Sequence, residues 1–292
     1  MVLATIQAAD VDARQACAVF KVSGLSSNAL LEKVGKAMAG GAALNQEDEA
    51  AWERVQRRVR TLCEATAAAG GRVMIDAEES WIQEAIDALA EDMMSDYNRE
   101  RVVVYNTVQM YRHDRLAYLA AMAARAEEGG YLCGVKVVRG AYMEKERARA
   151  AQQGYPSPIQ PDKTASDRDF DAAVKWVLER IAQIHLVAGS HNEESNLKLC
   201  QWMGEMGLEP GDARVSFAQL LGMSDPITFN LAARGYNVAK YVPYGPIREA
   251  IPYLIRRAQE NTSVAGQTSR ELTLLREEQQ RRKQMNSRQR GL

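Results

Sequence analysis

One short segment near the end of the chain carries the most distinctive chemistry. A phenol, two guanidinium groups and a carboxylate are spaced i, i+3, i+4 and i+7 along it: Tyr253, Arg256, Arg257 and Glu260. On a helix these positions share one face. Adjacent guanidinium groups repel unless an anion lies between them, and each matches a carboxylate in geometry, so this face predicts a site for an acidic small molecule. The alternative is a solvated face held by an Arg256–Glu260 salt bridge.

Polar residues also mark the ends of several short apolar runs. Five of them fall at or just past such an end: Lys21, Asp76, Asn106, Arg139 and His191. In a β/α barrel, side chains from several strand ends converge on one rim, which forms the active site. A single residue of this kind is more often a helix cap or a surface charge. Five such positions favour a site at the rim of a barrel.

The elements that must position these residues alternate along the chain. Short apolar runs separated by amphipathic segments are typical of a parallel sheet covered by helices. Seven runs are predicted to be strands: Ala18–Val22, Arg72–Asp76, Val102–Asn106, Gly134–Val138, His185–Ala188, Arg214–Ala218 and Val238–Val242. The helices predicted between them include Trp81–Asp92, Asp114–Glu128 and Asp169–Gln183. The Gly- and Ala-rich stretch Gly35–Asn45 is predicted to be a loop or a frayed helix end.

A closed barrel needs an eighth strand, and the sequence offers one weak candidate. Either Val2–Ile6 supplies it or it was encoded upstream of this chain. No break in composition divides residues 1–269, which we predict to be a single domain. The charged segment Arg270–Leu292 is predicted to be a helical tail, either a solvated or disordered end or a docking segment.

Composition restricts the class of protein. A hydrophobic fraction of 46% with 26% charged residues predicts a soluble globular chain with a sizeable core. The net charge of -1 provides no general attraction for nucleic acid or anionic lipid, so we predict no nucleic-acid partner. The cysteines form no C-x-x-C pair and the histidines have no metal-binding spacing, so neither a disulfide framework nor a metal is expected. No targeting segment is visible at Met1, although a leader could have been removed from the chain.

The sequence also restricts how a nucleotide cofactor could bind. Neither the G-x-G-x-x-G pattern after a first strand nor the P-loop pattern is present, so any such cofactor must lie across strand ends. Gly140 and Ala141 follow one predicted strand end and would let a flat ring or a pyrophosphate approach the backbone. A tight turn explains these two residues equally well.

Four motifs in this order resemble the proline dehydrogenase family: Val137–Tyr142, Ser190–Asn192, Tyr241–Gly245 and Tyr253–Asn261. The resemblance extends from about Phe20 to Asn261 and includes Asp76-Ala77-Glu78 and the Gln219–Met223 turn. It implies an α/β fold, namely a distorted (β/α)8 TIM-like barrel with its last helix over the mouth. It also implies non-covalent FAD and oxidation of L-proline to Δ1-pyrroline-5-carboxylate, with electrons passed to quinone.

The resemblance further implies roles for individual positions. Residues implied to bind proline are Lys21, Tyr241, Tyr253, Arg256 and Arg257. Residues implied to line FAD are Ala77, Asn106, Gln109, Lys136, Val138, Arg139, Gly140, Ala141, Tyr142, Ser190, His191, Gln219 and Glu260. The two catalytic assignments are Asp76, which would pair with the arginines, and Lys136, which would place a positive charge near the flavin. Many relatives carry arginine at position 136 and glutamine at position 106.

Three other interpretations remain open at this point. Hydroxyproline dehydrogenase, in the same family, is the first, although the bulk of Tyr241 favours proline. The second is a flavin-free barrel that acts as a binding or regulatory protein, and the third is nucleic-acid binding through the basic tail. The resemblance implies the matrix side of the mitochondrial inner membrane for a eukaryotic chain and the cytoplasm for a bacterial one, and it leaves peripheral membrane association open.

Overall fold

Seven parallel strands, adjacent in the order in which they occur in the sequence, form one sheet that curls into a half-barrel. The computed structural model describes Leu3, Ile6, residues 17–243, Ile247, Ile251, Ile255, Thr273 and residues 276–282. The strands are β1 (Cys17–Lys21), β2 (Arg72–Asp76), β3 (Val104–Gln109), β4 (Cys133–Val138), β5 (Ile184–Gly189), β6 (Val215–Leu220) and β7 (Val238–Tyr241). The predicted parallel β/α architecture is confirmed.

Helices connect consecutive strands. They are α1 (Asn28–Met38), α2 (Gln46–Ala68), α3 (Ser80–Tyr97), α4 (Arg115–Gly129), α5 (Met143–Gln153), α6 (Lys163–Leu178), α7 (Glu193–Glu205) and α8 (Asp225–Ala233). Several begin at a side chain that accepts a backbone N–H of the first turn, which satisfies a donor that the helix itself cannot pair. These N-caps are Ser27, Asn45, Asp162 and Asn192. In the part of the chain that the structure describes, no helix is long and apolar enough to cross a membrane.

The two faces of the sheet have different roles, because successive side chains of a strand point to opposite faces. The face toward the helices carries most of the core, for example Ile75, Val137 and Phe217, all fully buried. The inner face carries a small second cluster of apolar side chains, which includes Met74 and Tyr105. Lys21, Asp76 and Lys136 belong to the inner-face series at the carboxyl ends of their strands.

Several predicted elements need correction. The helices predicted over Trp81–Asp92 and Asp169–Gln183 span Ser80–Tyr97 and Lys163–Leu178. β3 begins and ends later than predicted, at Val104 and Gln109, because pairing with β4 extends through the polar residues that follow Asn106. α1 continues through Gly35 to Met38, since Leu31, Val34 and Gly35 form its buried face. Leu3 and Ile6, the described residues of the candidate strand Val2–Ile6, are helical.

The chain divides into two compact units, Met1–Tyr241 and Val242–Leu292. In the second unit, Ile247, Ile251 and Ile255 are helical and exposed. A helical segment over residues 276–282 carries ion pairs from Glu278 to Arg281 and Arg282. The predicted domain boundary between residues 269 and 270 lies outside the described residues.

His185 lies on the inner face near the amino-terminal ends of the strands, and its surroundings predict a pH-dependent stability. Burial and the charges of Arg72 and Arg214 disfavour the imidazolium and lower the pKa of His185 to about 4. An unfolded chain binds this proton near pH 6.5. Between these values the unfolded state holds more protons, so stability falls as the pH drops from 6.5 toward 4.

We expect the free energy of unfolding to fall by on the order of 1 kcal/mol as the pH is lowered from about 7 to about 5. The effect is this small because solvent partly screens the charge on a half-buried side chain. Urea unfolding monitored by circular dichroism measures this slope. His185→Gln should flatten it, whereas the control His113→Gln, which removes an exposed imidazole, should retain it. An unchanged slope in His185→Gln would contradict the assignment.

Candidate active site

Four inner-face residues form a row across the carboxyl ends of the first four strands. Lys21 is paired with Asp76 in the sheet register, and Thr107 with Lys136. Because Ile75 pairs with Asn106, the next residues along, Asp76 and Thr107, are also neighbours. The threonine hydroxyl donates to the Ile75 carbonyl at 2.8 Å. This small residue between Asp76 and Lys136 leaves room for their side chains to meet.

Asp76 is the centre of this row. Its Oδ1 accepts a hydrogen bond from Lys136 Nζ, and its Oδ2 lies 3.6 Å from Lys21 Nζ. Asp76 and Lys136 are each 8% exposed. Burial alone would raise the pKa of the Asp76 carboxyl, but the two ammonium groups outweigh burial and hold it below its usual value. One ionised carboxylate therefore lies between two cations at the rim.

Two tyrosines complete the surroundings of Asp76. The Tyr241 hydroxyl, at the end of β7, donates to Asp76 Oδ2 at 3.4 Å, and Lys136 Nζ lies 6.0 Å from the centre of the Tyr241 ring. Lys21 Nζ donates to the Tyr142 hydroxyl at 3.2 Å. Although burial opposes it, the charge of Asp76 raises the pKa of Lys21. The site therefore combines cations, one carboxylate and two aromatic rings.

Gln109 lies two residues beyond Thr107 on the same inner face and pairs with Val138 in the register. Its side chain is 2% exposed, and its Oε1 accepts no hydrogen bond from the part of the chain that is described. A buried acceptor without a donor costs free energy, so such atoms are usually paired. Gln109 Oε1 is therefore placed to accept a hydrogen bond from an N–H group of a bound molecule.

Arg139, just past β4, is tied to the elements around β5. Its Nη1 and Nη2 donate to the hydroxyls of Ser190 and Ser195, both at 2.8 Å, and its Nε donates to Asp167. Its guanidinium group also stacks over the Phe170 ring, with 4.3 Å from Cζ to the ring centre. These contacts fix the loop after β4 against α6 and α7, and the cofactor contact of Arg139 stays a prediction.

The loops after β5 and β6 are joined by two further contacts. His191 Nδ1 lies 3.0 Å from the Ser224 hydroxyl, and Ser224 has φ of 53°, a left-handed conformation rare outside glycine. Gln219 donates to the Ser190 carbonyl at 3.3 Å and accepts from Thr228 at 2.9 Å. These bonds hold Ser190 and His191 at the rim.

Four predicted cofactor positions carry no polar or charged side chain. Val138 ends β4 and is half-buried, Ala77 follows β2 and is buried, and Ala141 is exposed. Gly140 has φ of 136°, and a Cβ there would lie 2.4 Å from the ring of Tyr111. Position 140 therefore requires glycine, because its turn packs closely against that ring.

The predicted cofactor contact of Asn106 is corrected by its placement. The side chain lies on the helix-facing side of β3, where its Nδ2 donates to Asp87 and to the Tyr118 hydroxyl, each at 2.9 Å. Its Oδ1 accepts from the Thr107 N–H at 2.8 Å. The prediction assumed that β3 ended at Asn106, but the strand ends at Gln109. Asn106 holds α3 and α4 on the sheet.

The remaining predicted site residues lie outside the described residues: Tyr253, Arg256, Arg257 and Glu260. The predicted pairing of Asp76 with Arg256 and Arg257 therefore stays a prediction, and the described cationic partners of Asp76 are Lys21 and Lys136. Sequence reasoning overlooked Thr107. The signal that could have found it is the alternation of inward- and outward-facing residues in β3, which continues past Asn106 to Gln109.

A parallel β/α sheet with a charged, partly buried cluster at the carboxyl ends of its strands defines a protein of the β/α-barrel class. The proline dehydrogenase family model matches residues 2–270. The chain belongs to the proline dehydrogenase family.

Individual relatives agree with this family assignment. Human mitochondrial proline dehydrogenase 1 is 41% identical over 233 residues, covering 79% of this chain and 39% of that protein. Hydroxyproline dehydrogenase of Xenopus laevis is 40% identical over 230 residues, covering 77% of this chain and 49% of that protein. The chain thus spans less than half the length of these two relatives.

The fold is shared with proline utilization A. The crystal structure of proline utilization A from Bdellovibrio bacteriovorus, inactivated by N-propargylglycine, aligns with this chain with a TM-score of 0.74 and 22% sequence identity. The match covers 85% of this chain and 24% of that one. At this identity the match concerns the fold.

Flavin is the cofactor of this family in general, and the described residues fit it. Gln109 Oε1 is a buried acceptor without a donor, which suits a ring N–H of an isoalloxazine. Lys136 places a positive charge on the same face as Gln109. These two residues would hold the ring, with the loop Val138–Tyr142 beside it.

Proposed function

We propose that this chain oxidises L-proline to Δ1-pyrroline-5-carboxylate with FAD as cofactor. The observation that carries the proposal is the buried Asp76 carboxylate between Lys21 and Lys136 at the rim of the sheet. The family assignment supports the same reaction. Bound FAD would supply the redox chemistry by accepting a hydride, at N5, from the ring carbon beside the proline nitrogen.

The protein's part is to bind, orient and balance charge. Lys21 is 42% exposed at its side chain and presents an ammonium group to an arriving carboxylate. Arg256 and Arg257 would complete the carboxylate site, as their spacing predicts. The Tyr241 ring would pack against the pyrrolidine. Asp76 keeps both lysines in place, and its lowered pKa keeps it ionised at neutral pH, so it serves as a counter-ion.

Hydroxyproline is the second candidate substrate. The hydroxyproline dehydrogenase of Xenopus laevis is nearly as similar to this chain as the human proline enzyme. Tyr241 decides between the two substrates in our proposal. Its ring would narrow the space for the hydroxyl of a bound hydroxyproline, and its own hydroxyl is engaged with Asp76. We therefore favour proline as the substrate. The preference over hydroxyproline should be modest, because shape alone rejects an added hydroxyl only weakly.

Anaerobic flavin bleaching tests cofactor, reaction and substrate together. The purified protein should be yellow, and L-proline should bleach the flavin absorbance faster than trans-4-hydroxyproline does. Faster bleaching by hydroxyproline would assign the second substrate. A protein that binds no added FAD would instead support a flavin-free binding role, and bound flavin that neither compound reduces would refute the proposed reaction.

The electron acceptor and the compartment follow from the same proposal. The proposal includes a quinone as the electron acceptor and, with it, peripheral contact with a membrane surface. The human relative is named as mitochondrial, and the structural relative is bacterial. We accordingly propose the matrix side of the mitochondrial inner membrane for a eukaryotic source and the cytoplasm for a bacterial one.

A further inference from the structure

Glu78 makes an unusual contact just beyond the first two strands. It is 4% exposed, and its carboxylate contacts the 3-10 turn Val22–Gly24 that follows β1. Its Oε1 accepts the Ser23 backbone N–H at 2.9 Å, and its Oε2 accepts the Ser23 hydroxyl. One carboxylate thus takes both donors of a single serine. We call this contact the Ser23–Glu78 latch.

The position of the latch relative to the active site is significant. Lys21 and Asp76 are the last paired residues of β1 and β2, and backbone pairing between the two strands ends with them. Ser23 and Glu78 each lie two residues further along. The latch therefore continues the register of the two strands by side-chain contact. β1 has β2 as its one sheet neighbour among the described strands, so its carboxyl end depends on contacts of this kind.

The Glu78 side of the latch is anchored in the core. The Glu78 backbone N–H donates to Gln83 Oε1 at 2.8 Å, and Gln83 in turn donates to Asp87 at 2.8 Å. Asp87 is a buried partner of Arg115. Glu78 is therefore fixed to α3 and α4, whereas Lys21 is an exposed side chain on an edge strand. The latch therefore restrains the 3-10 turn Val22–Gly24, which directly follows Lys21.

We propose that Glu78 is a positioning residue that holds the Lys21 ammonium group beside the Asp76 carboxylate. The 3.6 Å separation of Lys21 Nζ and Asp76 Oδ2 is near the upper limit for an ion pair. A small shift of the carboxyl end of β1 would therefore break the pair. The consequence for proline binding rests on the proposed function. The positioning itself is a property of the folded chain and can be measured without substrate.

Acylation of Lys21 by a water-soluble succinimidyl ester, followed by peptide mass spectrometry, measures the position of its ammonium group. The charge of Asp76 raises the pKa of Lys21, and only the free amine reacts. Loss of the latch should therefore accelerate acylation. We expect Glu78→Gln to raise the rate at Lys21 by about threefold or more, corresponding to a decrease of about half a pKa unit. Lys33 and Lys36 provide internal reference rates.

Two further variants separate position from charge. Glu78 also acts on Lys21 directly by its charge, so Ser23→Ala is the sharper change, because it removes one latch bond and keeps the carboxylate. We expect Ser23→Ala to raise the rate at Lys21 by about twofold, and Ser23→Thr, which keeps the hydroxyl, to restore it. The matched control is Glu79→Gln, which removes an equally buried carboxylate bound to Lys145.

Kinetics give the second measurement. In Ser23→Ala and Glu78→Gln, KM for proline should rise by about five- to tenfold while kcat stays within about twofold, the pattern of lost substrate binding. Wild-type acylation rates at Lys21 in both variants would overturn the inference. If proline fails to reduce the wild-type flavin, the proposed function fails, and the acylation experiment still decides the positioning role.

Discussion

Replacing Asp76 by alanine is expected to reduce kcat/KM for proline by about 10²- to 10³-fold. The change leaves Lys21 and Lys136 facing each other without their shared counter-ion, and Lys136 is nearly buried. Truncating one partner of a buried charge pair in a binding site weakens binding by about 2–5 kcal/mol, and each 1.4 kcal/mol of lost transition-state binding corresponds to a factor of ten in kcat/KM. Steady-state kinetics with an artificial electron acceptor, normalised to the flavin content of each preparation, measures the effect.

Two control variants make this result specific. Asp76→Asn keeps the size of the side chain and an acceptor for the Tyr241 hydroxyl, so its loss should come from charge alone. Asp92→Ala removes a half-exposed carboxylate of α3 that pairs with Arg60 at the surface, and it should retain activity. If Asp76→Ala folds, binds flavin and turns over normally, Asp76 is a structural residue and our assignment is wrong.

Arg256→Met is expected to raise the apparent KM for proline by about 10²- to 10³-fold while FAD remains bound. The spacing of Arg256 and Arg257 predicts that both hold the substrate carboxylate, and a desolvated charge contact is worth about 2–5 kcal/mol. Methionine keeps much of the length of the side chain and removes its charge. Proline titration followed by flavin absorbance gives the binding constant directly.

The matched control for Arg256→Met is Arg57→Met. Arg57 lies on α2 with a side chain that is 67% exposed, and it pairs with Glu53 one turn away. This variant should leave proline binding unchanged. A normal proline affinity in Arg256→Met would instead support the alternative interpretation, in which the segment Tyr253–Glu260 is a solvated surface.

Much of the sheet could be predicted because its strands are short apolar runs separated by amphipathic helices. Hydrophobicity locates such strands but defines their ends poorly. The last residues of β3 are Thr107, Val108 and Gln109, and only pairing with β4 reveals the first and last of these as strand residues. The resulting three-residue error at the end of β3 moved Asn106 to the rim, and the structure places Gln109 there.

Site residues could be predicted from the sequence where the ends of the strands could be predicted. Lys21, Asp76 and Lys136 follow from the pattern and the family resemblance, and the structure brings them together. Contacts between loops far apart in the sequence left no local signal. Ser23 and Glu78 are of this kind, since the meaning of each residue depends on the other.

The order of the strands in the sheet also bears on how the protein is made. Among the described strands, each one after β1 pairs with its predecessor in the chain, so β1 alone waits for a later strand before it gains a neighbour. During synthesis, an emerging strand–helix unit can dock on the unit just completed, and the sheet grows vectorially as the chain leaves the ribosome. At every stage the strand synthesised last forms one edge of the partial sheet, and the next strand of the chain pairs with that edge.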